Sequence, residues 1–217
     1  MTEIYLVRHP ESALNADRSL VGGRSNNTPV TERGLEQARR FAKVFPNHYP
    51  KPDVFYSSPA VRTKTLIDIY NEVTDEHNGY FIDSDLQELS QGIGEAKPRT
   101  DIYTAEVLAE IALQQLDFAL PEGESINATA DRMFASLHRM EQRHPNKTVF
   151  VAGHGLSFRT VVGRVLGWNH YETTIDPTHF TDNVSVTHLT MNDGVATVNF
   201  WGRDIIEPVE IKENTVY

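Results

Sequence analysis

The sequence contains no cysteine. Disulfides, thiolate nucleophiles and cysteine-based metal sites are therefore excluded, and the composition fits a reducing compartment such as the cytoplasm. Basic residues are also scarce. The sequence has 20 Lys and Arg but 30 Asp and Glu, which gives a formal net charge of -10. A chain of this sign repels nucleic acid and anionic membranes, so neither is expected as a partner. An anionic substrate must instead be bound by a local cluster of cationic side chains.

Long apolar runs are missing as well. No segment approaches membrane-spanning length, and the N-terminus, Met1 to Tyr5, has neither the basic start nor the apolar stretch of a secretory signal. These features predict a cytoplasmic protein. The balance of 39% hydrophobic and 23% charged residues is typical of a globular chain. We expect a single domain over residues 1–217, with residues 97–121 forming a lid insertion.

Short apolar runs alternate with helical patterns along the chain. The predicted strands are residues 4–7, 53–56, 80–82 and 148–152, followed by a hairpin of 184–189 and 195–200 around Asn192-Asp193-Gly194. Five helices are predicted. The first runs from an N-cap at Thr31 to Pro46, and the second starts from an N-cap at Ser58 with Pro59 in its first turn. The other three cover residues 102–116, the stretch from Ser125 to Pro145, and residues 158–166. This alternation predicts an α/β fold, a three-layer α/β/α sandwich around a mostly parallel sheet with an antiparallel edge and a small helical lid.

The first strand ends abruptly at Arg8-His9-Pro10. Proline cannot donate to a ladder and biases the preceding residue toward extended geometry, so His9 is expected at the carboxyl end of the strand. Ligands of open α/β sheets bind at that edge. Arg8 and His9 are therefore candidates for a binding crevice.

A second histidine, His154, follows the most strand-like run of the chain, and Arg62 lies early in a predicted helix. A single buried histidine is more often a satisfied core residue than a functional one. Two histidines at the ends of two parallel strands, however, face the same crevice. With Arg8, Arg62 and a helix N-terminus, they form a candidate phosphate site.

These residues resemble the signature of the histidine phosphatase (phosphoglycerate mutase-like) superfamily. The matching segments are Val7-Arg8-His9-Pro10-Glu11 with Asn15, residues 31–38, residues 57–63, Leu86-Gln87-Glu88-Leu89, residues 121–125 and Val151-Ala152-Gly153-His154-Gly155. They occur in the order of the family. The chain departs from the family in Pro10, which replaces the usual glycine, and in a shortened acidic loop that lacks the usual aromatic residue near Gly94-Glu95.

The resemblance implies a role for each matching residue. His9 would be the nucleophile that forms a phosphohistidine, and Arg8, Arg62 and His154 would hold the phosphoryl oxygens. Glu88 would act as the general acid and base, with Glu95 as its rival. The implied mechanism needs neither a metal ion nor another cofactor.

The implied substrate contacts are less specific. They are Asn15 and Arg24 in the first loop, Ser57 after the second strand, and Gly155 beside His154. The alternative is that the polar loop residues only stabilise turns and that Ser57 only caps a helix. Asn183, just before the hairpin, is close enough in the predicted fold to reach the edge of the site.

The expected activity is a metal-independent phosphomonoesterase that acts on a small soluble phosphate ester. A cofactor-dependent phosphoglycerate mutase shares every core residue. It needs further cations in the lid, where the stretch 97–115 offers only Lys97 and Arg99. A non-catalytic phospholigand-binding module on the same fold is the alternative from another class. Exposed strand edges permit a homodimer without requiring one.

Overall fold

A six-stranded mixed sheet forms the centre of the chain in the computed structural model, which describes residues 1–206. Its strands are β1 (Thr2–Arg8), β2 (Val54–Ser57), β3 (Tyr80–Ile82), β4 (Thr148–Gly153), β5 (Val186–Asn192) and β6 (Val195–Arg203). The strand order is β3-β2-β4-β1-β5-β6, in which the first four strands are parallel and β5 and β6 are antiparallel. The mostly parallel sheet with an antiparallel edge is therefore confirmed.

Eight α-helices connect these strands within residues 1–206. They are α1 (Ala13–Ala16), α2 (Glu32–His48), α3 (Val61–Thr74), α4 (Arg99–Ile102), α5 (Ala105–Gln114), α6 (Ile126–Arg143), α7 (Gly155–Leu166) and α8 (His170–Thr174). In this part of the chain, no helix has the length and apolar character needed to cross a bilayer. Of the predicted domain, residues 207–217 lie outside the described residues.

The alternation of side chains along β1 explains why both faces of the sheet are covered. Tyr5 and Val7 point to one face, where they pack with the apolar stripe of α2 and with α3. Ile4 and Leu6 point to the other face, where they pack with Met133 of α6 and with α7. Each fully buried Leu, Ile or Phe side chain contributes about 1.5–3 kcal/mol, so the two cores stabilise one three-layer α/β/α sandwich.

The end of α2 and the start of α3 differ from the prediction. The helix α2 does not end at Pro46 but runs on to His48, and the backbone N–H of Tyr49 donates to the carbonyl oxygen of Phe45. Proline removes one donor near the end of the helix without preventing a final turn. Helix α3 begins at Val61 instead of Pro59, with Ala60 as its N-cap.

The segment 97–121, predicted to be a lid insertion, contains two α-helices instead of the predicted single helix over 102–116. Helix α4 ends at Ile102, and Thr104 then caps α5 by accepting a hydrogen bond from the N–H of Val107 (3.4 Å). No residue of α5 is buried. Helix α7 also begins earlier than predicted, at Gly155, so that its N-terminus directly follows His154.

Candidate active site

The carboxyl ends of β1, β2 and β4 meet at one edge of the sheet. The register pairs Arg8 with Gly153 and Ser57 with Ala152. The next residue of each strand therefore also lies at this edge: the N–H of His9 donates to the carbonyl oxygen of Gly153 (2.9 Å). The ring centroids of His9 and His154 are 5.3 Å apart. The two histidines predicted to share a crevice are thus adjacent.

The hydrogen bond of His9 determines which ring nitrogen carries the proton. Its Nδ1 lies 2.7 Å from the carbonyl oxygen of Pro10, and a carbonyl oxygen can only accept. Nδ1 is therefore the protonated nitrogen, and Nε2 keeps a free lone pair. Burial holds the pKa of His9 well below its ordinary value, with a further contribution from Arg62 and Arg8. The imidazole is neutral at neutral pH, which is the state that a nucleophile requires.

His154 is fully buried, and both of its ring nitrogens have protein partners. Nδ1 lies 3.1 Å from Nη2 of Arg62, and Nε2 lies 2.8 Å from Oγ of Ser58. A guanidinium only donates, so Nδ1 accepts and Nε2 carries the proton. Burial and the charge of Arg62 hold the pKa of His154 well below its ordinary value. The structure thus places His154 as the partner of Arg62, and its contact with a phosphoryl oxygen stays a prediction.

Arg62, in the first turn of α3, binds the loop that follows the first strand. Its Nη1 donates to the carbonyl oxygen of Ser25 (2.9 Å), and its Nη2 donates to those of Arg24 (3.1 Å) and Gly23 (3.3 Å). The side chain is buried, with 4% of the residue exposed. Arg62 therefore joins His154 to the wall of the crevice.

Arg8 lies against the start of α7. Its Nη1 donates to the carbonyl oxygen of Thr181, whereas its Nε is buried and has no hydrogen-bond partner among residues 1–206. A Cβ atom at Gly155 would lie 3.1 Å from this Nε, so the missing side chain of glycine makes room for the guanidinium. An unpaired buried N–H at this position is a donor suited to an oxyanion.

Glu88 caps the N-terminus of α7. Its carboxylate accepts hydrogen bonds from the N–H groups of Ser157 (2.8 Å) and Leu156 (3.1 Å). Burial lowers the pKa of Arg8 and of Arg62, and in both cases the charge of Glu88 opposes that effect. The negative charge of Glu88 therefore acts on both guanidiniums, and its role as general acid stays a prediction.

Asn15 reaches the site through a second asparagine. Its Nδ2 donates to Oδ1 of Asn183 (3.3 Å), whose own Nδ2 donates to the carbonyl oxygen of His9 (2.8 Å). This contact holds the backbone of His9. Asn183, which the sequence suggests only through its place before the hairpin, is the closer of the two to His9.

Two predicted substrate contacts point elsewhere. The guanidinium of Arg24 is paired with Glu124 (2.7 Å). The hydroxyl of Ser57 is buried and donates to Thr63 (3.1 Å) and to the carbonyl oxygen of Ser58 (2.8 Å). The hydroxyl beside His154 belongs to Ser58, because consecutive residues of an extended segment point in opposite directions.

Glu95, the rival for the acid, is bound to two loops. Its carboxylate accepts from the N–H groups of Arg24 (3.0 Å), Ser25 (3.2 Å) and Gln91 (3.2 Å). These bonds fix the first loop onto the loop after Glu88. Within residues 1–206, no three His, Asp or Glu side chains are arranged to hold a metal ion.

This arrangement of side chains is suited to the transfer of a phosphoryl group. One neutral imidazole has a free lone pair, the buried Arg62 and the partly buried Arg8 supply positive charge, and the charge of one carboxylate, that of Glu88, acts on both. These are the parts needed for nucleophilic attack on a phosphate ester and for stabilising the charge that develops.

Comparisons with known proteins identify the family. Residues 4–204 match the family model described as histidine phosphatase superfamily (branch 1). Among curated proteins, the chain is 28% identical over 174 residues to the "Probable phosphoglycerate mutase GpmB" of Shigella dysenteriae serotype 1; the match covers 77% of this chain and 76% of that protein.

Solved structures show the same fold. YhfR of Bacillus stearothermophilus is similar with a TM-score of 0.78 at 23% identity, over 93% of this chain and 97% of that one. The alpha-ribazole phosphatase of Shigella flexneri is similar with a TM-score of 0.76 at 22% identity, over 96% of this chain and 100% of that one.

Proposed function

Because the chain belongs to branch 1 of the histidine phosphatase superfamily, we propose that it is a phosphomonoesterase acting on a small phosphate ester through a phosphohistidine on His9. The observation that carries this proposal is the 2.7 Å contact between Nδ1 of His9 and the carbonyl oxygen of Pro10. The carbonyl oxygen of Pro10 holds the proton on Nδ1, and Nε2 is left as a nucleophile. Pro10, although it removes a backbone donor, keeps the carbonyl that performs this task.

The proposed reaction has two displacements. In the first, the lone pair of His9 Nε2 attacks phosphorus, the ester P–O bond breaks, and protonated Glu88 gives its proton to the leaving oxygen. In the second, a water oxygen attacks phosphorus, its proton goes to Glu88, and the P–N bond breaks. Inorganic phosphate, neutral His9 and protonated Glu88 result.

Arg8 and Arg62 stabilise the charge on the phosphoryl oxygens in both displacements. Their guanidiniums are fixed before substrate binds, by Thr181 and by the carbonyl oxygens of residues 23–25. Preorganised donors in a water-poor site contribute most to transition-state stabilisation. The local cations also explain how a chain of net charge -10 attracts an anion.

A phosphoglycerate mutase is the second candidate, since the relative at 28% identity carries that name. The two functions differ in what attacks the phosphohistidine, which is water in a hydrolase and a second substrate hydroxyl in a mutase. One of the two lid cations, Arg99, lies over the ring of Tyr103 (5.3 Å) and donates to the carbonyl oxygen of Leu20. Because the lid cations are few and Arg99 has protein partners, we favour hydrolysis.

The deciding experiment is an assay with a metal chelator present. One arm uses p-nitrophenyl phosphate, and the other uses 3-phosphoglycerate with 2,3-bisphosphoglycerate, each with the wild type and with His9→Ala. We expect phosphate release that His9→Ala abolishes. Isomer interconversion with little phosphate release would identify a mutase. A folded protein that binds phosphate and turns over no ester would identify a binding module.

The role of Glu88 has its own test. Glu88→Gln keeps the size of the side chain and removes the acid. We expect hydrolysis of alkyl phosphates to slow far more than hydrolysis of p-nitrophenyl phosphate, because nitrophenolate leaves without a proton. Glu95→Gln, which alters a carboxylate bound to backbone N–H groups, is the matched control. Equal slowing of both ester types by Glu88→Gln would remove Glu88 from the role of acid.

A further inference from the structure

A third arginine lies near the site without a role in the reaction. Arg159 is in α7, and its Nη1 is buried and has no hydrogen-bond partner in the part of the chain that the structure describes. The guanidinium carbon lies 4.4 Å from the centre of the Phe180 ring. Burial lowers the pKa of Arg159 to about 10. The residue as a whole is half-buried, but a buried N–H without an acceptor is costly unless a ligand supplies one.

Two contacts place Arg159 beside Arg8. Arg159 follows Gly155 by four residues, so the two lie on the same face of α7, and a Cβ built on Gly155 would lie 3.1 Å from Nε of Arg8. The segment of Phe180 and Thr181 also spans both arginines, because Phe180 covers Arg159 and Thr181 accepts from Arg8. Arg159 is therefore one helical turn from the proposed phosphate site.

The protein groups near Arg159 leave its buried Nη1 without an acceptor among residues 1–206. The guanidinium carbon lies over the ring of Phe180, and an aromatic ring attracts a cation but accepts none of its in-plane hydrogen bonds. Carboxylates and phosphates bind at the edge, in the plane of the N–H groups. Glu88, the nearest acidic influence on Arg159, already accepts from three backbone N–H groups, those of Leu89, Leu156 and Ser157.

We propose that Arg159 binds a second anionic group of the substrate, so that the preferred substrates are phosphate monoesters that also carry a carboxylate or a second phosphate. This inference rests on the proposed function, because it takes the phosphate at His9 as the first anchor. A carboxylate and a phosphate would bind in the same way, with their oxygens at the edge of the guanidinium. Such binding makes Arg159 a specificity-determining residue.

Matched substrate pairs test the inference. The carboxylate arm compares 3-phosphoglycerate with glycerol 3-phosphate, which has a hydroxymethyl group in place of the carboxylate. The phosphate arm compares fructose 1,6-bisphosphate with fructose 6-phosphate. We expect the wild type to prefer the charged member of at least one pair by about tenfold or more in kcat/KM, which corresponds to about 1.4 kcal/mol. The pair that shows this preference identifies the second anionic group as a carboxylate or a phosphate.

Arg159→Met keeps the length of the side chain and removes its charge. It should remove this preference by raising KM for the charged member of the pair. Phe180→Leu is the matched control, because it removes the ring and keeps the charge, and it should retain the preference. If Arg159 only packs against Phe180, both variants will leave the ratio within each pair unchanged. That result would overturn the inference.

A binding measurement separates this inference from the proposed function. Calorimetric titration of the four esters into His9→Ala, with and without Arg159→Met, needs no turnover. Tighter binding of a charged member that Arg159→Met abolishes would support the inference even if the wild type hydrolysed none of the esters. Equal affinities within both pairs would overturn it, while phosphate release by the wild type would leave the proposed function standing.

Discussion

Acidification should destabilise the fold through its two site histidines. His9 and His154 are buried, and both have pKa values well below the ordinary value for histidine, so they remain neutral in the folded chain as the pH falls. In the unfolded chain their pKa is about 6.5. Below that pH the unfolded state binds more protons than the folded state, and the free energy of unfolding therefore decreases as the pH decreases.

The magnitude follows from linkage. For one histidine that protonates only when unfolded, the loss is RT ln(1 + 10^(6.5 − pH)), about 1.4 kcal/mol at pH 5.5 and below about 0.1 kcal/mol at pH 7.5. His9 and His154 together should remove about 2.7 kcal/mol between these pH values. That is a large part of a typical total of about 5–15 kcal/mol. His144 and His170, whose pKa values burial also lowers, add to the loss.

Urea unfolding followed by tryptophan fluorescence at a series of pH values measures this loss. His154→Gln should reduce the difference between pH 7.5 and 5.5 by about 1.4 kcal/mol relative to the wild type, while the contributions of His144 and His170 cancel in the comparison. His77→Gln, at an exposed position, is the control and should leave the difference unchanged. The reasoning is refuted if His154→Gln and the wild type lose the same stability on acidification.

Three further substitutions test the local geometry. Ser58→Ala should lower kcat and cost about 1–3 kcal/mol of stability, because it leaves Nε2 of buried His154 without its partner; an unchanged kcat in ester hydrolysis would speak against this bond. Gly155→Ala should raise KM for phosphate esters by displacing Arg8, since the added Cβ would lie 3.1 Å from its Nε; steady-state kinetics would show this, and an unchanged KM would contradict it. Gly167→Ala, at the C-cap of α7 with φ of +75°, should cost about 1 kcal/mol in unfolding experiments without changing KM.

The fold and the strand-end residues were predictable because they depend on local signals. An apolar run that stops at Arg8-His9 marks both a strand and its carboxyl end, and parallel strands bring such ends to one edge. The same holds for His154 after β4. The capping box of Asn169 and Glu172, which starts α8, was also visible in the sequence, but its helix was not predicted.

Side-chain partners were less predictable, because they depend on tertiary contacts. Ser57 and Ser58 are chemically identical, and only the direction of the chain after β2 puts the second one beside His154. Arg24 looks like a free loop cation until the fold brings Glu124 to it. No pattern around Arg159 indicates that its Nη1 has no hydrogen-bond partner among residues 1–206.

The wall of the crevice formed by residues 23–25 is made of main chain. Arg62 binds its carbonyl oxygens, and Glu95 binds N–H groups of Arg24 and Ser25. Any residue except proline supplies these groups at position 24, whereas a Cβ at Gly23 would meet the Glu95 carboxylate at 2.5 Å, and Ser25 has a φ of +27° and donates its hydroxyl to Glu95 (3.3 Å). Position 24 can therefore change in evolution at the cost of the ion pair between Arg24 and Glu124, while the proposed phosphate site keeps its shape. New substrate preferences can arise there without rebuilding the catalyst.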